Sequence, residues 1–243
     1  MDFLSGPIKE NFYTIKERMA AAVKRSGREP SAVRLVVVTK AQPAEKIRIV
    51  IEAGADQLGE NYPEETVEKK KSLSDFSQVQ WHMIGHLQSR KIPYVIKDFN
   101  IIHSIDSVEL ATKLSRKLVE AGIVMPVLIE INSSGEESKY GFPGFNETDW
   151  GRLVNLISTI VELPGIKLSG LMTMPPFFDA PELSRPYFIK LRTLRDYLQK
   201  SLGSVVSLNE LSMGTSSDFE VAIEEGATYV RVGKAIMGER IYP

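Results

Sequence analysis

Residues 208–234, LNELSMGTSSDFEVAIEEGATYVRVGK, read as strand, helix, strand, and this unit decides the fold. Leu208 to Met213 form one strand. Ser217 then opens a helix as the cap of the box Ser217-Asp218-Phe219-Glu220, in which the first and fourth residues satisfy each other's free backbone donors. The helix ends at Gly226, a residue suited to the left-handed turn that closes helices. Thr228-Tyr229-Val230-Arg231-Val232 follows as the next strand, rich in β-branched and aromatic side chains.

The same helix ending recurs upstream. Val50-Ile51-Glu52-Ala53-Gly54-Ala55-Asp56 resembles Ala222-Ile223-Glu224-Glu225-Gly226-Ala227-Thr228, and Leu118-Val119-Glu120-Ala121-Gly122 echoes both. Working outward, Val33 to Val38 is apolar on both faces, as a buried parallel strand requires. Further strands are expected at 57–58, 80–84, 101–104, 127–131 and 166–172. Pro43 and Pro63 open two of the intervening helices, Asp106 caps another with Glu109 three residues on, and Phe188, Leu191, Leu194 and Leu198 stripe a fourth. Eight strands alternating with helices give an α/β fold, a single (β/α)8 TIM barrel over residues 1–243. An extra N-terminal helix at 7–26, with the stripe Ile8, Phe12, Ile15, Met19 and Val23, is expected to cover the barrel's bottom or an interface. A doubly wound open sheet would need a glycine-rich turn after the first strand, and Thr39-Lys40-Ala41-Gln42-Pro43 is not one.

Composition narrows the functional classes. With 43% hydrophobic and 25% charged residues the chain is globular. Its 30 basic and 31 acidic residues create no field for nucleic acid. The cluster Glu68-Lys69-Lys70-Lys71 behind Glu64-Glu65 has mixed sign and reads as a solvated helix face. The absence of cysteine excludes disulfides, thiolate metal sites and a cysteine nucleophile. MDFLSGPIKENF is no signal peptide and no apolar run spans a membrane, so a cytoplasmic protein is expected.

Barrel chemistry gathers at the C-terminal ends of the strands. That rim collects Lys40, Glu60, Asn61, Gly85, His86, Ser104, Asp106, Asn132, Thr173, Met174, the run Gly214–Ser217, and Gly233. Met213-Gly214-Thr215-Ser216-Ser217 joins a flexible glycine to three hydroxyls, with Arg231-Val232-Gly233-Lys234 beside it, where barrels frequently seat phosphate. Lys40, at the end of an apolar strand, is placed to lose its proton and attack an aldehyde, or else to pair with a carboxylate such as Glu60; both remain open. His82 and His86 are four apart, but on a strand that spacing favours a structural or ligand-lining role over a metal site.

VVVTKAQP at 36–43, LGENYPEE at 58–65, WHMIGHLQSRK at 81–91, HSID at 103–106, INSSGEESKYGF at 131–142, GLMTMPP at 170–176 and LSMGTSSDFEVAIEEGATYVRVGKAIMG at 211–238 together resemble the pyridoxal phosphate homeostasis protein family. The resemblance implies a barrel like the N-terminal domain of alanine racemase that binds pyridoxal 5′-phosphate. It makes Lys40 the Schiff-base lysine, puts Asn61 near the cofactor, and lines the ring with Ile84 and Met213. Ser216, Ser217, Gly233 and Lys234 then correspond to phosphate positions, and Arg231 faces the pyridine nitrogen. Thr39-Lys40-Ala41-Gln42-Pro43 departs from the family's commoner Ser-Lys-Thr-Lys-Pro, and Lys234 stands where threonine is frequent.

The implied function is a cytoplasmic carrier that holds the cofactor on Lys40 for vitamin B6 homeostasis and passes it to apoenzymes, as a monomer and without robust catalysis. Eight units are expected to use all 243 residues, with none left for a racemase's second domain, and a charged Arg231 is expected to be a poor proton donor to the ring. The alternatives are a pyridoxal phosphate-dependent racemase or related enzyme, and a cofactor-free Schiff-base aldolase or sugar-phosphate isomerase.

Overall fold

The computed structural model describes residues 5–136 and 139–239. Among these the elements run α1 (Ser5–Arg25), β1 (Arg34–Val38), α2 (Ala44–Glu52), β2 (Gln57–Glu60), α3 (Pro63–Ser72), β3 (Gln80–Met83), α4 (Ile92–Asp98), β4 (Ile101–Ile105) and α5 (Val108–Ala121). They continue through β5 (Met125–Asn132), the two-residue β6 (Phe142–Pro143), α6 (Trp150–Val161), β7 (Ile166–Met172), α7 (Arg185–Leu202), β8 (Glu210–Ser212), α8 (Phe219–Glu224), β9 (Tyr229–Val232) and α9 (Lys234–Met237).

The sheet order β4-β3-β2-β1-β9-β8-β7-β5, with β4 also paired to β5, closes eight parallel strands into a barrel. The first and last units meet where Leu35 registers with Val230 and Val37 with Val232. Because side chains alternate, each strand feeds two cores. Val36, Ile101, Leu128, Met172 and Tyr229 fill the interior, and the larger cluster lies between strands and helices. The barrel places every strand's C-terminal end on one face, which is what assembles the site.

Three local expectations change. The α1 stripe is buried, but it packs against α2, α8 and α9 along the barrel's side, not its bottom. Arg18 and Arg25 anchor it there through Glu220 and Glu224. Ser107, not Asp106, caps α5, its hydroxyl accepting from Leu110 N at 3.3 Å, because Asp106 turns its carboxylate to His86 Nδ1 at 3.0 Å. Asp218, not Ser217, occupies the cap position of α8. Its carboxylate accepts from Thr215 N at 2.6 Å and Thr215 Oγ1 at 3.0 Å, tightening the loop and leaving Ser217 exposed. Glu137 and Ser138 of the polar 133–146 loop lie outside the described residues.

Candidate cofactor site

A cavity of about 610 Å³ opens on the C-terminal face of the barrel. Lys40, Asn61, Ile84, Ser216, Ser217, Arg231, Gly233 and Lys234 all line it, coming from the ends of five different strand units. Met213 lies apart from them, fully buried in the main core cluster.

Lys40 leaves β1 on a clamped backbone. Thr39 N donates to Gly59 O at 3.0 Å, and Lys69 Nζ donates to Thr39 O at 2.9 Å. Glu60 Oε1 accepts from both Lys69 Nζ at 2.6 Å and Thr39 Oγ1 at 2.7 Å. The carboxylate considered as a partner for Lys40 is thus held by Lys69. Burial pushes the Glu60 carboxyl above its ordinary value, and the Lys69 charge opposes the shift. Ala41, the next residue after Lys40, has φ +54°, the one positive value outside glycine among the described residues. Such backbone is costly and is tolerated where the surrounding structure fixes it.

The floor is Arg231, on β9 and pointing inward. Its Nη1 donates to Ser212 Oγ at 2.6 Å and its Nη2 to Thr173 O at 2.9 Å. Burial draws the guanidinium down to about 10, with Asp218 and Glu130 opposing, so it remains charged at neutral pH.

One end of the cavity is rich in donors. Gly233 N and Ala235 N converge on Ser216 Oγ at 3.2 and 3.4 Å, beside the hydroxyls of Thr215 and Ser217 and the cation of Lys234. Gly214 lets the loop turn: its φ is +91°, and a Cβ there would sit 2.5 Å from that of Ala222. Lys234 is 70% exposed and pairs with Glu239 at 2.5 Å, so it reaches over the rim and not into the floor. Val38 and Ile84 supply apolar wall, and Met174 and Phe177 an exposed apolar rim.

Beyond the ends of β3 and β4, His86 pairs with Asp106 and stacks on Tyr140, with ring centroids 3.8 Å apart. Burial, with the Asp106 charge adding, pushes Glu130 up to about 7, and Arg231 pulls against it. His82 and His86 do not share a site: the first is buried inside the barrel and the second exposed.

Two features escaped sequence reasoning. The charge pattern places Lys69 on a solvated face, yet it is buried, and Lys70 turns to Asp98 O at 2.8 Å. The available signal was spacing, since Pro63, Thr66 and Lys69 fall on one face of α3 and all three are buried. The inward turn of His103 and Ser212 had no comparable signal.

A family model described as the N-terminal domain of alanine racemase matches residues 9–241. The chain belongs to this family. It is 42% identical over 233 residues to the pyridoxal phosphate homeostasis protein of Aquifex aeolicus strain VF5, which covers 96% of this chain and 98% of that one. The crystal structure of an unknown protein from Bifidobacterium adolescentis superposes with a TM-score of 0.89 at 36% identity, over 97% of this chain and 96% of that one. PipY of Synechococcus elongatus PCC7942, solved with PLP bound, matches with a TM-score of 0.78 at 33% identity, over 92% of this chain and all of that one. Within the alanine racemase N-terminal domain family the chain therefore groups with the pyridoxal phosphate homeostasis proteins.

Proposed function

We propose that this chain binds pyridoxal 5′-phosphate in the cavity and holds it through Lys40 as a cytoplasmic reserve for vitamin B6 homeostasis, without robust turnover. One observation carries the reading: a lysine amine, a buried guanidinium and a cluster of hydroxyl and amide donors converge on one cavity. Those three features match an aldehyde, a pyridine nitrogen and a phosphate in turn. Asn61, Ile84 and Met213 are the remaining positions proposed to meet the cofactor; the first two line the cavity, and Met213 is buried in the core.

The bound cofactor would supply an aldehyde and an aromatic electron sink. Lys40 would hold the cofactor through its amine, the nucleophile in the cavity suited to the aldehyde that the cofactor supplies. The clamp on Thr39 fixes where that amine stands. Gly233 N, Ala235 N and the Ser216 and Ser217 hydroxyls would hold the phosphate, with Lys234 adding charge from the rim.

Arg231 favours a holder over a racemase. It stays charged, held in place by Ser212 Oγ and Thr173 O, so it would offer the ring nitrogen a hydrogen bond without giving up a proton. An unprotonated ring stabilises a carbanion poorly. The experiment is incubation with L- and D-amino acids followed by chiral analysis, where turnover on the scale of seconds would overturn the non-catalytic part. Release to an apoenzyme is tested by mixing loaded protein with one and following that enzyme's activity. Sedimentation of the loaded chain tests its proposed monomeric state.

A further inference from the structure

Four buried polar side chains form a continuous chain through the barrel interior. Arg231 Nη1 donates to Ser212 Oγ at 2.6 Å, Ser212 Oγ meets His103 Nδ1 at 2.8 Å, and His103 Nε2 meets His82 Nδ1 at 2.9 Å. Their exposures are 4%, 0%, 0% and 2%. The far end, His82 Nε2, has no hydrogen-bond partner among the described residues. His82 also lines a second cavity of about 320 Å³ with Arg34, Glu210 and Tyr229, at the N-terminal ends of the strands, opposite the cofactor cavity.

Elementary chemistry gives this chain a direction. A guanidinium only donates, so Ser212 Oγ accepts from Arg231. The hydroxyl then has one proton to place, and His103 Nδ1 is the acceptor within reach. The opposite tautomer, with the proton on His103 Nδ1, would leave a buried hydroxyl proton without an acceptor. His103 therefore carries its proton on Nε2 and donates to His82 Nδ1, which puts the His82 proton on Nε2; this leaves that one buried atom unpaired, where the reverse direction would leave two, His82 Nε2 and the Ser212 hydroxyl proton. Both rings must be neutral for this. Burial ensures it, drawing His82 down to about 3 and His103 well below the imidazole range. Tyr229 packs against both imidazoles at 5.5 and 5.2 Å between centroids, and Arg34 stacks on Tyr229 at 3.8 Å.

We propose that Ser212, His103 and His82 are positioning residues for Arg231, forming a one-way hydrogen-bond relay that ties the cofactor cavity to the lower mouth of the barrel. The relay turns the Ser212 hydroxyl proton away from Arg231, so the guanidinium always meets lone pairs and keeps one orientation. Its consequence for cofactor binding rests on the function proposed above; its direction does not.

The test is nitrogen NMR of the full chain labelled with ¹⁵N-histidine, with and without pyridoxal phosphate. The relay requires His103 and His82 both neutral and both protonated on Nε2, with the His82 Nε2 signal shifting when the upper cavity is loaded. Ser212→Ala should release His103 into mixed tautomers and raise the Kd for pyridoxal phosphate about tenfold, the scale of one charge-assisted hydrogen bond. Ser212→Thr restores a hydroxyl and should return both readouts towards the wild type. A wild-type His103 protonated on Nδ1, or a Ser212→Ala protein with unchanged tautomers and Kd, overturns the proposal. Should the variants fail to fold, the wild-type tautomers decide alone. A wild-type chain that ignores pyridoxal phosphate would defeat the proposed function while leaving the tautomer result standing.

Discussion

Replacing Lys69 with methionine removes the counter-charge of a carboxylate that has no exposure to water. Glu60 is 0% exposed, and its Oε1 would keep the Thr39 hydroxyl at 2.7 Å, while its Oε2 has no hydrogen-bond partner among the described residues. Stranding one member of a buried pair costs about 3–5 kcal/mol. For a chain of this size each kcal/mol moves the midpoint by about 2–4 °C, so Tm should fall by roughly 6–20 °C. Burial already raises the folded-state pKa of Glu60, and Lys69 restrains that rise. A raised carboxyl stabilises the fold below its unfolded pKa and loses that contribution as pH climbs through the folded one. The deficit of Lys69→Met should therefore be larger at pH 8 than at pH 5, because acid favours the neutral form of the buried Glu60 carboxyl. Adding Glu60→Gln should recover most of the loss. Urea and thermal unfolding at the two pH values measure all of this. A cost below about 1 kcal/mol, or one that does not vary with pH, would refute the reasoning that burial governs this pair.

Three other changes probe separate parts of the site. Gly85→Ala would bring a Cβ within 2.7 Å of Asn61 Cα and Cβ, so Asn61 must leave the cavity wall. An absorbance titration should show weaker pyridoxal phosphate binding by about threefold to tenfold, at a stability cost of about 1–3 kcal/mol. Gly214→Ala combines φ +91° with a 2.5 Å clash against Ala222, and should lower Tm and loosen phosphate binding together. Glu130, raised to about 7, stabilises the fold below its ordinary pKa and loses that contribution as pH rises through about 7. Stability should fall by up to about 3 kcal/mol between pH 5 and 8, and Glu130→Gln should flatten that slope in urea unfolding.

The barrel was legible because its signals are local. The β-branched run at 34–38, the proline helix starts and the glycine after each repeated helix end all act within a few residues. Once strands are ordered, topology alone sends Lys40, Asn61 and the Ser216 hydroxyl to one face, and the cavity holds all three. What stayed hidden depends on partners far apart in sequence. Asp106 gave up its cap role to His86, Lys69 crossed to Glu60, and Ser212 reached His103 over 109 residues. Charge patterning along α3 suggested solvent, because no local rule weighs a buried carboxylate waiting on the neighbouring strand.

The central claim is that Lys40 carries the cofactor. The chain should be mixed with pyridoxal phosphate, reduced with borohydride so that the carbon–nitrogen double bond becomes a stable amine, digested and mapped by mass spectrometry. The account predicts a single dominant pyridoxyl label on the peptide containing Lys40, lost in Lys40→Ala together with the absorption band. Dominant labelling of another lysine such as Lys234, or a band that persists unchanged in Lys40→Ala, would contradict it.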